Sequence, residues 1–328
     1  MKFVTFQNEK NSQPRFGFKK NDHIIDIKHA SDWVNESNND PSFLGIPSSL
    51  KGALENWTDN FKKLKELEKT LPYEDVISLK VAGGPIATQE KNVQLLAPVP
   101  DPRSFRDFYA FEQHVRSARK LRGLDMHPDW FKIPIFYFSN AVALFGHKAE
   151  IPYPTGTEEL DFELEFAIII ANGGTNITEQ DAGKYIAGYT ICNDWSARDL
   201  QREEMAMNLG PAKGKDFATS FGPYMVTPDE LEDSWDDKGR LDLRMTCHVN
   251  GKIISDGNTN DLYHSFKKMI ERASMNTNLL AGDYLGSGTV GTGCILELRP
   301  ENTGGWIKKG DVVKMEVEQL GILENKIV

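Results

Sequence analysis

Cysteine is scarce: only Cys192, Cys247 and Cys294 occur among 328 residues, widely separated and odd in number. Such a set builds neither a disulfide framework nor a cysteine-rich zinc site. Each reads as a small buried hydrophobe in a reducing compartment, and a cytoplasmic location is the expectation. No apolar run approaches the ~18 residues that a membrane span needs. The first ten residues turn polar too early to form a signal-peptide core. Positive charge is also short, with 38 Lys and Arg against 48 Asp and Glu and a formal net charge of −10. Nucleic acid and anionic membranes are therefore not expected as partners, because both demand a basic footprint.

Familiar catalytic signatures are missing or spoiled. GxSxG and HExxH do not occur. Gly210-Pro211-Ala212-Lys213-Gly214-Lys215-Asp216 is one residue short for a phosphate loop and has Asp216 where Ser or Thr must hold Mg²⁺. Asp256–Asp261 lacks the central glycine of a calcium loop, and Lys267 stands where the bidentate Glu belongs. Gly286-Ser287-Gly288-Thr289-Val290-Gly291 spells GxGxxG, yet residues 294–298 read as a strand where a dinucleotide site needs a helix.

What is present is ordinary for a folded protein: 39% hydrophobic and 26% charged residues. Short strands are predicted up to about Asp26 and helix over 31–80, with a solvated lysine-rich face at Phe61–Lys69. Three prolines between Pro98 and Pro102 break both kinds of element and mark a domain boundary. The expected division is a small domain over 1–95 and a larger, strand-dominated α+β domain over 96–328. Within the latter, 103–123 reads as helical, with further helices near 178–186, 195–207 and 260–275.

Three constellations carry chemistry. In Leu160-Asp161-Phe162-Glu163-Leu164-Glu165-Phe166, apolar residues alternate with acids, the pattern of a strand with one buried and one carboxylate face. Glu163 and Glu165 then stand ~6.6 Å apart on one side. Either water solvates that face or a divalent cation neutralises it. The second is Asn193–Gln201, where a strand gives way to a helix with Asp194 as its N-cap. Asp194, Arg198 and Gln201 share one helical face in that reading, which suits a metal with an anionic ligand or a plain surface ion pair. The third is Asp107 with His114, seven residues apart on the predicted helix, beside the proline-rich boundary where clefts form.

In order along the chain, Asp107-Phe108-Tyr109 with His114, the Asp161-x-Glu163-x-Glu165 strand, Asn193–Gln201, Gly214-Lys215-x-Phe217-x-Thr219, Ser287-Gly288-Thr289 and Leu296-Glu297-Leu298 resemble the fumarylacetoacetate hydrolase superfamily. The resemblance spans about Leu95 to Glu318. It implies a mixed β-roll catalytic domain preceded by a small SH3-like β domain, and a homodimer. It implies divalent metal ligands at Glu163, Glu165 and Asp194, joined by Asp107. An all-oxygen set of that kind suits Mg²⁺ or Ca²⁺, with Mn²⁺ as an alternative. His114 is implied as general base, oriented by Glu297, with Lys215 near the reacting oxygens. Tyr109, Tyr137, Arg198, Gln201 and Thr289 fall where the family contacts substrate. The implied reaction is hydrolysis of a C–C bond in a small anionic 1,3-diketo acid. Decarboxylases, hydratases and isomerases of 2-oxo acids share the same carboxylate triad, and a binding protein without turnover is a third reading. One departure is Met205, where animal fumarylacetoacetases have a tyrosine.

Overall fold

A computed structural model describes residues 1–9, 12–72 and 76–328. Its backbone is a mixed sheet whose main path holds ten strands: β1 (Lys2–Gln7), β2 (Arg15–Lys20), β3 (His23–Asp26), β4 (Ala87–Gln89), β5 (Phe105–Phe108), β6 (Phe136–Ser139), β7 (Leu164–Ile170), β8 (Ile186–Asp194), β9 (Thr219–Val226) and β10 (Tyr284–Gly286). Their spatial order is β4-β3-β2-β1-β9-β8-β7-β10-β5-β6. The sheet therefore crosses the proline-rich segment without a break: β1 pairs antiparallel with β9, Lys2 opposite Val226. Among the described residues, β1–β4 of the first 95 residues extend this sheet.

Both faces of the sheet are covered, which explains why its central strands read as continuous apolar runs. On one face lie three helices, α1 (Ile27–Asn38), α2 (Leu50–Leu54) and α3 (Trp57–Thr70). Their Ala30, Val34, Leu54, Trp57, Leu64 and Leu67 pack with Ala167, Ile169, Phe221 and Tyr284 of the sheet. The lysine-rich stretch of α3 is thus a solvated face backed by buried leucines. The opposite face, with Phe166, Ile168 and Ile191, packs on a five-stranded sheet that supplies Met245, Met315, Val317 and Leu323. Alternation along β7 sends neighbouring side chains to different cores.

Several predicted elements differ. Residues 103–123 are not one helix: β5 comes first and α4 (Glu112–Leu121) follows. Phe105-Arg106-Asp107-Phe108 is buried throughout and pairs in parallel with β10, so tertiary pairing decides its state. The helix placed at 195–207 starts only at Arg198, as α5 (Arg198–Met205). The one near 260–275 is α6 (Phe266–Ser274). Residues 295–298, read as a strand, form a single helical turn, α7 (Ile295–Leu298). All three cysteines are free and buried.

Since β1 covers the edge of β9, and α1–α3 cover an apolar face of the sheet, a chain beginning at residue 96 should expose both. We expect residues 96–328 alone to aggregate on expression, whereas the full chain stays dispersed. A monodisperse, cooperatively unfolding 96–328 fragment would show instead that the two segments fold independently.

Candidate active site

The acidic strand is interrupted where its acids matter. Leu160–Asp161 pairs with Ser196–Ala197, the chain leaves regular strand at Phe162-Glu163, and β7 begins at Leu164. A solvated carboxylate face does not form: Asp161 and Glu165 are 0% exposed and Glu163 is 6% exposed. Glu163 and Glu165 converge with Asp107 from β5 and Asp194 from the end of β8. One oxygen of each of these four acids lies within 4.8 Å of the others. Asp161 is turned aside to Arg198, whose Nε donates to its Oδ2 at 2.8 Å.

Asp194 is a strand residue and not a helix cap, so its expected face shared with Arg198 and Gln201 does not exist. Nor do Asp107 and His114 share a helix: Asp107 lies in β5 and His114 in α4, with residues 109–111 between the two elements. Arg198 pairs through Nη1 with Glu163 Oε1 at 2.8 Å and reaches Gln201 Oε1 at 3.1 Å. Lys215 Nζ sits between two of the acids, 2.5 Å from Glu163 Oε2 and 2.6 Å from Asp194 Oδ2. Tyr137 donates its hydroxyl to Asp194 Oδ2 at 2.6 Å, and Thr289 donates to Glu165 Oε1 at 3.4 Å. These last two therefore touch the acids themselves.

The glycine-rich stretch that mimics a dinucleotide fingerprint has a packing role. A Cβ on Gly286 would overlap the Asp107 carboxylate. At Gly288 the backbone has φ of +78°, and a Cβ would run into the Phe108 carbonyl. Both glycines let the chain after β10 lie close against β5, which leaves room for Asp107 to reach Glu165. The GxGxxG spacing had drawn attention to Gly286, but not to its packing against Asp107.

Protons are strongly perturbed here. Burial, then the neighbouring acids, pushes the carboxyls of Asp107 and Glu165 well above their ordinary range. Burial likewise raises Asp194, against the opposing pull of Lys215. Burial acts on Glu163 too, but Lys215 and Arg198, with His114, outweigh it and bring its carboxyl down to about 2. Asp107 Oδ1, Glu165 Oε2 and Asp194 Oδ1 are buried with no hydrogen-bond partner. Unpartnered buried oxygens on three of four converging acids, with no soft donor among them, fit a hard divalent cation. Asp107, Glu163, Glu165 and Asp194 are the residues that would hold it.

Beside the acids lies a second pair. His114 Nδ1 is 3.0 Å from Glu297 Oε2, bringing α4 and α7 together. Glu297 is ionised: burial alone would raise its carboxyl, but the bond to His114 and backbone donation from Thr292 lower it. An ionised Glu297 accepts this hydrogen bond, so Nδ1 is the nitrogen that carries the donated proton. Tyr109 stands edge-on to the imidazole, ring centroids 5.6 Å apart. Burial pushes its phenol to about 12, so it keeps a proton to donate. Its carbonyl accepts from Trp130 Nε1 at 2.8 Å. On α4, Arg116 pairs with Glu112.

The raised acids hold protons in the folded state over a pH window in which the unfolded chain has released them. Metal-free stability should therefore fall as pH rises above the ordinary carboxylate range. A cation needs those acids ionised, so Mn²⁺ should raise the melting temperature more at about pH 8 than at about pH 5.5. Thermal melts with and without Mn²⁺ check this; equal increments at both pH values would contradict it. Gly286→Ala should abolish the Mn²⁺ increment, because Asp107 loses its place.

A protein-family model described as fumarylacetoacetate (FAA) hydrolase, C-terminal, matches residues 103–328. A mitochondrial oxaloacetate tautomerase of Xenopus laevis is 27% identical over 337 residues, covering 100% of this chain and 90% of that protein. One from Rattus norvegicus is 34% identical over 199 residues, which is 60% of this chain and 59% of that protein. Among solved structures, maleylpyruvate hydrolase from Sphingobium sp. SYK-6, in complex with manganese(II) and pyruvate, superposes with a TM-score of 0.68 at 20% identity. That match covers 100% of this chain and 99% of the other. With the family model spanning more than two thirds of its length, the chain belongs to the fumarylacetoacetate hydrolase family.

Proposed function

We propose that this protein is a divalent-metal-dependent hydrolase that cleaves a C–C bond in a 1,3-diketo acid of fumarylacetoacetate or acylpyruvate type. The observation that carries the reading is the His114–Glu297 hydrogen bond beside the buried acids. A base of this kind, with its tautomer fixed by an ionised carboxylate, is what water activation near neutral pH requires. His114 Nε2 takes a proton from water as the water oxygen bonds to the substrate carbonyl carbon. The C–C bond then breaks, its electron pair goes to the departing carbon, and that carbon takes the proton back from the imidazolium to leave as an oxo acid, a 2-oxo acid where the substrate is an acylpyruvate. Glu297 stabilises the imidazolium meanwhile. A cation held by the four acids supplies positive charge where negative charge develops on substrate oxygens. Tyr109 and Gln201 offer hydrogen-bonding groups to the substrate, and Arg198 binds its carboxylate with the guanidinium edge left free by Asp161 and Glu163. Lys215, already bonded to two of the acids, stabilises the oxyanion from beside them. Pyruvate and manganese together in the Sphingobium hydrolase support a small 2-oxo acid at such a site.

A second reading, keto–enol tautomerisation of a 2-oxo diacid, is favoured by the Xenopus relative, which the chain matches along its whole length. The same His114 would then move a proton on carbon, and no water would be consumed. Assay of acylpyruvates, fumarylacetoacetate and oxaloacetate with Mg²⁺, Ca²⁺ or Mn²⁺ separates the two. Release of two acids supports hydrolysis, whereas enol–keto interconversion of oxaloacetate without cleavage of any diketo acid would overturn it. Under hydrolysis, His114→Ala should reduce cleavage by roughly 10²–10⁴-fold while Mn²⁺ binding survives. Glu297→Gln should lose less, since the amide still meets Nδ1 but carries no charge.

A further inference from the structure

Asp161 is the one acid of its motif that does not join the other four. It is fully buried, and its carboxylate accepts four contacts. Oδ2 takes Arg198 Nε at 2.8 Å and the Leu296 N–H at 3.0 Å. Oδ1 takes the Ile295 N–H at 2.8 Å and the N–H of its own neighbour Phe162 at 2.9 Å. Ile295 and Leu296 open the single turn of α7 that carries Glu297. A four-residue helix cannot hold its own shape, because its first N–H groups have no partner within it. The Cys294 side chain does not cap it. Two of those N–H groups are fixed by Asp161, one and two residues before the carboxylate that orients His114.

The other end of the contact set reaches the acids. Arg198 is shared between Asp161 and Glu163, so one guanidinium ties Asp161 to Glu163 across the site. From this geometry we propose that Asp161 is a positioning residue: it holds the turn bearing Glu297 at a fixed place relative to Glu163, and so sets where the His114 base stands against the substrate. This rests on the reading of His114 as the base. It needs no contact between Asp161 and substrate.

The variant Asp161→Asn has nearly the same shape. An amide oriented to keep its oxygen toward Ile295 and Phe162 turns its NH₂ toward Arg198 Nε and Leu296 N–H, where donor meets donor. Arg198 keeps Glu163 as a partner, so no charge is stranded. For outer contacts of this kind a loss of roughly 10–100-fold in activity is typical. We expect a fall of that size in kcat at saturating Mn²⁺, with KM changed little and Mn²⁺ binding retained. The decisive readout is a double-mutant cycle with Glu297→Gln. If Asp161 acts through Glu297, the double variant is no slower than the slower single one, and both singles shift the pH profile of kcat in the same direction. Multiplying losses, an unchanged pH profile in Asp161→Asn, or full activity would each overturn the proposal. Asp161→Ser takes the same cycle if the amide variant does not fold. If His114→Ala retains full cleavage, the reading of the base fails, independently of how the cycle behaves.

Discussion

Five acids, Asp107, Asp161, Glu163, Glu165 and Asp194, are buried in one region with two buried cations, Lys215 and Arg198. Two like charges ~4 Å apart repel by about 4 kcal/mol even at an effective dielectric near 20. Such an arrangement is stable only with protons or with a cation, and the surrounding architecture serves that choice. Lys215 neutralises Glu163 and Asp194 from one side. Arg198 is divided between Glu163 and Asp161. Asp107 and Glu165 are left with each other, and their displaced proton equilibria follow from that.

The scaffold answers the same constraint mechanically. Three of the four converging acids come from different strands of one sheet, with β10 between β5 and β7. A sheet packed on both faces barely yields, so the carboxylates cannot drift apart to relieve their repulsion. The fourth acid, Glu163, sits where the strand is broken. An unbroken alternation would have set it and Asp161 on one side; the break lets Asp161 leave for Arg198 and α7.

The sequence was most readable where residue type alone carries the chemistry. Asp107, His114, Glu163, Glu165 and Asp194 were singled out from local patterns, Lys215 and Glu297 through the family resemblance; the structure groups the four acids with Lys215 and pairs His114 with Glu297. Local geometry was less readable. The segment around Asp107 reads as helix by composition and becomes strand because β10 offers it a parallel partner. Asp194 precedes a helical pattern and so looks like a cap, but the helix starts at Arg198. Residues 295–298 are apolar enough for a strand, yet their first N–H groups are held by a carboxylate more than a hundred positions away. Gly286 could not be understood before its neighbour Asp107 was known. In each case the deciding partner is distant in sequence, and no window-based pattern contains it.

That distance also orders events in time. Asp107 and Asp194 are about ninety residues apart in the chain and approach only when β5, β10, β7 and β8 are aligned in register. Closing such loops is slow compared with forming hairpins or helices. Glu163 and Glu165 are neighbours in the chain from the start, but the full set of four acids comes together only with the assembled sheet. A cation held by all four acids would therefore select the assembled sheet. Uptake by the four-acid site during refolding would then be paced by the pairing of the central strands.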